Sequence, residues 1–313
     1  MPARQVQPIP CIMGPTASGK TGVAVALARR FPVQVISVDS AQVYRGMDIG
    51  TAKPSAELLG EVPHRLINIR DPVEPYSAAQ FCTDVHREVE HARSAGRLPL
   101  LVGGTMLYFR AFEHGLADLP GADPALRRRI EGEAAERGWA DLHTELAGVD
   151  PDAARRIHPN DAQRIQRALE VYRLSGCAMT ALLADSRRSR TRPPLAKWVL
   201  APRERDELNR RIAGRFEAML EQGFVAEVEA LRRRGDLGLN HPSMRAVGYR
   251  QVWHYLDGDY DGGRLRESGI VATRQFAKRQ MTWLKRERQA TWSDPGHDDT
   301  LGRLARWIAD HVS

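Results

Sequence analysis

The residues with the clearest chemical meaning lie in a glycine-bounded segment near the start of the chain. The stretch GPTASGKT fits the pattern G-x-x-x-x-G-K-[ST], with an apolar run before it and a helix-like segment after it. In such loops the backbone N–H groups and the positive end of the helix bind phosphate oxygens. Lys20 adds a positive charge, and the hydroxyl of Thr21 can reach Mg²⁺. The pattern predicts a site for two adjacent phosphoryl groups, of a nucleotide or another diphosphate, on Gly14, Pro15, Thr16, Ala17, Ser18, Gly19, Lys20 and Thr21.

Two more polar residues, Asp39 and Thr105, each follow an apolar run. A carboxylate beside a phosphate loop can hold Mg²⁺ through water or take a proton from a nucleophile, and both roles are open to Asp39. Capping of a turn is a plainer third role. The Thr105 hydroxyl can bond a phosphate or leaving-group oxygen, and Gly103 and Gly104 before it permit close backbone approach.

The elements that must position these residues alternate between strands and helices. Buried strands are predicted at 33–39 and 98–105, and with an opening strand before Gly14 they alternate with helical segments at 20–30 and 78–95. This alternation is typical of a parallel sheet covered by helices, an α/β fold whose ligands lie at the carboxyl ends of the strands. We therefore expect the phosphate loop, Asp39 and Thr105 to converge on one crevice.

Beyond residue 121 the chain becomes helical and arginine-rich, and we predict a helical insertion domain at 121–195 within a core made of 1–120 and 196–313. Asp123-Pro124 and Gly138 bound one helix, and Asn160 or Asp161 and Gly176 bound another. The segment 186–197 is too polar and proline-rich for a helix, which predicts a mobile connector. A strand at 197–202, helices at 204–221 and 224–234, and a final basic helix containing QFAKRQMTWLKRER are predicted after it.

Composition restricts the class of protein. The chain has 313 residues, and no apolar run approaches the roughly eighteen residues of a membrane span. With no signal-peptide pattern either, we expect a cytoplasmic enzyme. Cys11, Cys82 and Cys177 lie far apart, which predicts reduced packing residues and neither a disulfide framework nor a zinc site.

The positive charge is concentrated in the second part of the chain. Residues 1–120 hold 12 Lys and Arg against 11 Asp and Glu, whereas residues 121–313 hold 34 against 28. Clusters such as RRSRTR and KRQMTWLKRER can follow a polyanion, although an ordinary solvated surface accounts for them equally well. Charge alone leaves nucleic-acid binding undecided.

Several segments in order along the chain carry a family resemblance: GPTASGKT, DSAQVYRGMDIGTAKP, PHRLINIRDP, YSAAQF, PLLVGGTMLYFRA, IHPNDAQRIQRALEVYRLSG, VGYRQVW and TRQFAKRQMTWLKR. Together they resemble the bacterial tRNA dimethylallyltransferases, also called isopentenyl-diphosphate:tRNA transferases. The resemblance runs from about residue 10 to residue 290, and we see no clear departure in the motifs.

This resemblance implies that the phosphate loop holds dimethylallyl diphosphate, with Mg²⁺ at Thr21. The implied reaction transfers the allyl group to N6 of the adenosine 3′ of the anticodon and releases diphosphate. The resemblance gives Asp39 the role of proton acceptor and Thr105 and Arg215 contacts to the leaving group. Its expected partner is the tRNA anticodon stem-loop, the expected form is a monomer, and no membrane is involved.

The resemblance also implies a tRNA-binding surface in several segments. Gln42 is expected to read the edge of an extruded adenine. The implied residues are Asp39, Ser40, Ala41, Gln42, Thr105, Arg127, Gln163, Arg164, Ile165, Gln166, Arg167, Arg245, Ala246, Val247, Gly248, Tyr249, Arg250, Lys278, Arg279, Gln280, Met281, Thr282, Trp283, Leu284 and Lys285.

Plainer interpretations remain beside these. Arg164, Arg167 and Arg245 are equally typical of solvated helix charges, and Trp283 is more typical of packing than of stacking on a base. A small-molecule kinase would use the same loop with ATP but leaves the basic half unexplained. Transfer of the allyl group to free adenine nucleotides needs no insertion that grips RNA. A nucleic-acid-binding protein with a vestigial loop has no reason to keep Lys20 and Asp39.

Overall fold

The computed structural model describes residues 7–117, 119–185, 193–296 and 299–312. The chain divides into a core unit, Met1–Glu113 with Pro193–Ser313, and an insertion unit, His114–Arg192. From the sequence we predicted these boundaries at 121 and 195, where the amino-acid composition changes. In the structure both boundaries lie a few residues earlier. Of the predicted connector, residues 186–192 lie outside the described residues, and residues 195–197 belong to a strand instead.

The core unit contains a six-stranded sheet whose neighbouring strands are all parallel, in the order β3-β2-β4-β1-β5-β6. The strands are β1 (Ile9–Met13), β2 (Val33–Val38), β3 (His64–Arg65), β4 (Leu98–Gly103), β5 (Leu195–Leu200) and β6 (Thr291–Ser293). The predicted α/β class and the predicted strands at 33–39, 98–105 and 197–202 are confirmed. The central strands β1, β2 and β4 end beside one another, at the residues that precede Gly14, Asp39 and Gly104.

Helices of the core unit cover both faces of this sheet. They are α1 (Lys20–Ala28), α2 (Ala56–Glu61), α3 (Ala78–Ser94), α4 (Met106–His114), which crosses into the insertion unit, α10 (Arg205–Glu221), α11 (Phe224–Arg233), α12 (Tyr249–Leu256), α13 (Gly262–Leu284) and α14 (Thr300–Val312). Alternation along β1 shows the two faces, since Cys11 and Met13 pack into one hydrophobic cluster and Ile12 into the other.

The end of the chain corrects the sequence prediction. The basic helix is not the last element, because β6 and α14 follow it, and α14 buries Leu304 and Ile308, which lie four residues apart on one face. That helix, α13, also begins at Gly262, well before the predicted segment. Its glycines lower helix propensity, but a Cβ at Gly269 would lie 2.0 Å from the Phe216 ring, so a glycine is required where α10 and α13 pack closely.

The insertion unit is helical, with α5 (Pro124–Arg137), α6 (Trp139–Val149), α7 (Pro151–Arg156), α8 (Ala162–Ser175) and α9 (Met179–Asp185) around a core of its own. The predicted caps are present: Asp123 accepts hydrogen bonds from the first turn of α5, and Asp161 accepts one from Arg164 N–H. Gly176 ends α8 in the left-handed conformation.

Two of the three cysteines have the packed environment that the sequence predicted. Cys11 is buried and Cys82 is half-buried, but Cys177 is exposed, so it is not the packing residue that we predicted. Its place directly after Gly176, at the end of α8, explains this, because the chain turns into solvent there.

Among the residues that the structure describes, no helix combines the length and apolarity that crossing a bilayer requires.

Candidate active site

The phosphate loop joins the end of β1 to the start of α1. Gly14 is required at the first position, since a Cβ there would lie 2.2 Å from the Leu200 carbonyl oxygen of β5. Ala17 and Gly19 adopt positive φ angles of 61° and 82°, which turns the chain sharply toward the N-terminus of α1. The helix therefore points its positive end at the space in front of the loop.

Lys20 lies on the inner side of this loop. Its Nζ donates to the Pro15 carbonyl oxygen at 2.6 Å and to Ser18 Oγ at 3.3 Å. Burial lowers the pKa of Lys20 to about 7, and the positive charge of Arg215 contributes in the same direction, while Asp39 partly opposes them. A bound anion would favour the charged lysine, so the loop is prepared for a negative ligand.

Asp39 follows β2 and uses its two carboxylate oxygens differently. Oδ1 accepts the backbone N–H groups of Ala41 at 2.8 Å and Gln42 at 3.2 Å, which is the turn-capping role. Within the described residues Oδ2 accepts no hydrogen bond, and Asp39 lines a cavity. The cap fixes the carboxylate while one oxygen stays available for a proton or a cation.

Thr105 follows β4 and joins the same group. Its Oγ1 accepts the backbone N–H of Ser40 at 3.1 Å, and its own N–H donates to the Val38 carbonyl oxygen at 3.2 Å. These bonds hold Thr105 against the segment that carries Asp39. The predicted leaving-group contact of Thr105 therefore lies beside the predicted proton acceptor.

The loop, both strand ends and α10 enclose one cavity of about 480 Å³ in the core unit. Its polar side contains Lys20, Thr21, Asp39, Thr105 and Arg215. Its apolar side comes from Ile212, Phe216, Met219, Phe224 and Phe276, which sequence reasoning did not select because they look like ordinary helix-core residues. The structure thus brings the three predicted segments together and adds an apolar wall.

Arg215 and Gln42 donate hydrogen bonds to the same backbone carbonyl oxygen beside the cavity. The Thr51 carbonyl oxygen accepts from Arg215 Nη2 at 3.5 Å and from Gln42 Nε2 at 3.3 Å. Burial lowers the pKa of Arg215, and the charge of Asp39 opposes this. Gln42 also accepts a hydrogen bond from Ser37 Oγ at 3.2 Å, so its amide is engaged at both ends inside the protein. The predicted reading of a base edge by Gln42 requires that these bonds exchange.

Glu227 is a residue of this region that sequence reasoning missed. Its carboxylate accepts the backbone N–H groups of Asp48, Ile49 and Gly50 at 2.9, 2.7 and 3.1 Å and the Tyr249 hydroxyl at 2.5 Å. It therefore holds in place the segment that carries the Thr51 carbonyl. The only signal in the sequence was one of two glutamates on a helix, and its partners lie far away along the chain.

The segment 245–250 contributes part of the cavity wall and part of the exposed surface. Arg245 and Arg250 are exposed, Ala246 and Val247 are half-buried, and Gly248 and Tyr249 are buried. All of these except Arg250 line the cavity. The predicted tRNA segment thus has two charged side chains in solvent and a buried tyrosine that serves the Glu227 hydrogen-bond network.

The segment 278–285 on α13 alternates between solvent and interior. Lys278, Arg279, Thr282 and Lys285 are exposed, whereas Gln280 and Leu284 are buried. Met281 and Trp283 pack partly buried against the core, so packing is confirmed as the environment of Trp283. Arg110 and Arg286 lie over its ring at 5.7 and 5.8 Å from the ring centroid.

In the insertion unit, two predicted tRNA contacts share a buried carboxylate. Glu170 is fully buried and accepts from Arg127 Nε at 2.8 Å, Arg167 Nη1 at 2.6 Å and the backbone N–H of Asp123 at 2.9 Å. Burial by itself raises the pKa of Glu170, but the hydrogen bonds from the two arginines outweigh it and hold the pKa below its usual range. These arginines therefore have a structural task inside the unit.

The other predicted residues of the insertion unit differ in exposure. Gln163 and Arg164 are exposed, and Arg164 Nη1 donates to Asp161 Oδ2 at 2.6 Å. Gln166 donates to Glu131 Oε1 at 2.9 Å, while Ile165 belongs to the hydrophobic core and offers no contact surface. Only Gln163 and Arg164 of this group present their side chains mainly to solvent.

Comparisons with known proteins agree on one family. The protein-family model described as IPP transferase matches residues 42–287 of this chain. The tRNA dimethylallyltransferase of Alkalilimnicola ehrlichii is 63% identical over 305 residues, covering 96% of both chains, and that of Cupriavidus necator is 56% identical over 306 residues, covering 95% of both.

Solved structures are similar over nearly the whole chain. The tRNA isopentenylpyrophosphate transferase of Bacillus halodurans has a TM-score of 0.70 at 38% identity and covers 98% of this chain and 97% of its own. A eukaryotic dimethylallyltransferase, described as acting on tRNA, has a TM-score of 0.80 at 25% identity, covering 97% of this chain and 78% of its own.

Proposed function

The chain belongs to the IPP transferase family, and we propose that it transfers a dimethylallyl group from dimethylallyl diphosphate to tRNA. The acceptor atom in this proposal is N6 of the adenosine 3′ of the anticodon, and diphosphate is released. The observation that carries the proposal is the shared cavity, in which the phosphate loop, the carboxylate of Asp39 and an apolar wall lie together. A diphosphate, an allyl chain and an amine nucleophile require these three environments.

The residues of the cavity account for the chemistry of the leaving group. As the bond from the allylic carbon to the diphosphate oxygen breaks, its electron pair leaves on that oxygen. Lys20, Arg215 and the N-terminus of α1 neutralise the developing charge, and the Thr105 hydroxyl donates a hydrogen bond to it. Such preorganised charge in a partly buried site contributes more than it would in water.

The nucleophile needs a proton acceptor. The lone pair of an adenine amine is delocalised into the ring, so the amine attacks well only if its proton is removed as the new C–N bond forms. Asp39 takes that proton on Oδ2, because Oδ1 is engaged by the turn. The backbone N–H groups on Oδ1 keep Oδ2 aimed while the proton moves.

The oxygen atoms of the cavity also fit a magnesium ion. Mg²⁺ takes one or two protein oxygens together with water and substrate phosphate oxygens. Thr21 lines the cavity and offers a hydroxyl for which no hydrogen bond occurs in the described part of the chain, while Asp39 Oδ2 is kept for the proton. We propose that Thr21, with substrate phosphate oxygens and water, holds Mg²⁺, which would neutralise part of the diphosphate charge.

The acceptor base must leave its stack to reach this cavity. Extrusion of a base costs a few kcal/mol and is least costly in a single-stranded loop, which favours the anticodon loop. Arg245, Arg250 and Arg279 are exposed cations at or beside the cavity, suited to the phosphates of that loop. Arg164 and Gln163 supply exposed groups on the insertion unit.

A monomer in the cytoplasm is the form that we propose, since the proposed substrate is tRNA and the family resemblance implies a single chain. Gel filtration with light scattering checks the first point, with 35.0 kDa expected for one chain. Cell fractionation checks the second. A dimer whose dissociation abolishes activity would contradict the first point.

The decisive experiment is a transfer assay with dimethylallyl diphosphate labelled in the allyl group and an unmodified tRNA transcript. We expect label on the adenosine 3′ of the anticodon, and none on a transcript that carries uridine at that position. Label on free AMP instead of tRNA would favour the nucleotide-modifying alternative. Transfer of phosphate from ATP to a small alcohol, without any allyl transfer, would overturn the proposal.

A further inference from the structure

Gln280 is a buried side chain that joins two loops of the cavity. It lies on α13 with only 6% of its surface exposed, between the exposed Arg279 and the half-buried Met281. Its Oε1 accepts the backbone N–H of Thr16 at 2.8 Å, and its Nε2 donates to the Gly104 carbonyl oxygen at 2.8 Å. One side chain thus connects the phosphate loop to the segment that precedes Thr105.

The carboxamide of Gln280 suits both bonds, because it carries an acceptor and a donor side by side. The Thr16 N–H is a donor and the Gly104 oxygen is an acceptor, so these partners require an acceptor and a donor on the same group. The two partners also fix the orientation of the amide, because the flipped amide would lose both bonds. A glutamate keeps the first bond and sets a carboxylate against a carbonyl, while a leucine of similar size keeps neither.

Gly104 is fitted to this arrangement. A Cβ at that position would lie 2.5 Å from Gln280 Nε2 and 3.1 Å from the Gly14 carbonyl oxygen. An alanine there must therefore displace the amide of Gln280. Glycine is required for this contact with the glutamine and for the approach of the Gly14 carbonyl, so the three segments are packed closely together.

The connection matters because each joined loop carries a different part of the reaction. The phosphate loop holds the leaving group, whereas the segment after Gly104 holds Thr105, which in turn binds the Ser40 N–H beside Asp39. We propose that Gln280 is a positioning residue that fixes the distance between the diphosphate and the proton acceptor, rather than a contact to tRNA. This inference rests on the proposed function.

The test compares variants at Gln280 with a matched variant on the same helix. Gln280→Leu removes both bonds, Gln280→Glu removes the bond to Gly104, and Gln275→Leu changes an exposed glutamine of α13 outside the cavity. Wild-type transfer to tRNA is measured first, since an inactive wild-type protein would refute the proposed function and not this inference. Single-turnover rates at saturating substrates then isolate the chemical step.

A positioning role predicts a loss in rate without a loss in binding. We expect Gln280→Leu to lower the single-turnover rate about 100-fold, as for a displacement of roughly 1 Å, and Gln280→Glu to lower it about tenfold. The tRNA dissociation constant and its salt dependence should stay within about twofold of wild type. Gln275→Leu should match wild type in both measurements.

A double-mutant cycle with Gly104→Ala tests the connection itself and covers the case in which Gln280→Leu does not fold. If both changes break the same connection, the rate of Gly104→Ala with Gln280→Glu should be close to that of the slower single variant. Losses that multiply would overturn the inference. So would a weakened, less salt-dependent tRNA binding with the rate restored at saturation, or a lowered Tm with an unchanged rate for the folded enzyme.

Discussion

The cavity of the core unit and the helix α8 of the insertion unit treat buried charge in opposite ways. In the cavity, Lys20 and Arg215 lie near each other, and burial lowers the pKa of both. On α8, Glu170 is fully buried, yet Arg127 and Arg167 hold its pKa below the usual range. In the cavity Asp39 compensates the positive charge only in part, whereas on α8 the buried charge is neutralised by its own arginines.

This difference separates groups prepared for a ligand from groups that stabilise a fold. Uncompensated buried charge costs free energy that an incoming diphosphate can recover, which is why perturbed groups are typical of functional sites. A compensated charge has no such reserve. We therefore expect changes in the cavity to affect turnover or substrate affinity, and changes at Glu170 to affect stability.

The largest effect should come from Asp39. We expect Asp39→Ala to lower turnover by 10² to 10⁴-fold, the usual range for a lost general base, and to leave tRNA affinity within a few fold. Steady-state kinetics and a filter-binding titration measure the two quantities. Exposed Asp206→Ala on α10 is a suitable control. Unchanged turnover in Asp39→Ala would remove Asp39 from the mechanism.

Glu170→Gln should destabilise the protein without affecting the chemistry. The change weakens or removes the three charge-assisted hydrogen bonds from Arg127 and Arg167, and the half-exposed arginines can be solvated, so we expect a loss of about 1 to 3 kcal/mol in unfolding free energy. Urea denaturation measures it, with exposed Glu136→Gln as the control.

The pH dependence of stability gives a second test of the role of Glu170. Its pKa is lowered in the folded state, so its stabilisation is present above the unfolded pKa of about 4.3 and is lost as pH falls through the lower folded pKa. The wild-type protein should lose more stability than Glu170→Gln over that acidic window. A large loss of turnover in folded Glu170→Gln would contradict the contrast between the two units.

The pH dependence of donor binding should reflect the ionisation of Lys20. With a pKa of about 7, Lys20 loses its charge as pH rises, so the affinity for dimethylallyl diphosphate should fall about tenfold per pH unit above 7. Titration of dimethylallyl diphosphate between pH 7 and pH 9 measures this. Lys20→Arg keeps its charge and should give a flatter curve. A flat wild-type curve would show that Lys20 stays charged without ligand.

The smallest effects should come from the exposed arginines. Loss of one phosphate contact weakens tRNA binding a few fold and lowers the slope of log K against log salt by about one. We expect Arg245→Gln and Arg164→Gln each to behave in this way, because both side chains are exposed. Arg129→Gln, an exposed position without a predicted contact, is the control. An unchanged slope in both would identify these arginines as ordinary solvated charges.

Much of the active site was predictable because its parts are local in sequence. The phosphate loop follows from a short motif, and the strands that end just before Asp39 and at Gly103 follow from apolar runs with polar ends. Parallel strands end at the same edge of a sheet, which predicts the convergence. The caps of α5 and α8 were predictable for the same reason, since each cap bonds residues within its own first turn.

The sequence could not decide which of the predicted tRNA contacts are exposed. Arg127, Arg167 and Gln280 carry polar groups typical of a binding surface, yet the first two compensate Glu170 and the third is buried. Ile165, in the same predicted segment, belongs to the core. Successive residues of a helix are rotated by about 100°, so neighbouring positions face different directions. When both faces of a helix carry polar and apolar residues, the sequence does not say which face is exposed to solvent.

The sequence by itself determined the chemical groups and the local geometry that presents them: a loop for phosphates, a carboxylate and a hydroxyl at strand ends. Only the tertiary structure decided which groups are free to act. Gln280 meets its partner Thr16 across 264 residues of chain, and Glu227 meets Gly50 across 177. Hydrogen bonds and desolvation depend on distances in space, and the packing of the whole core unit sets those distances.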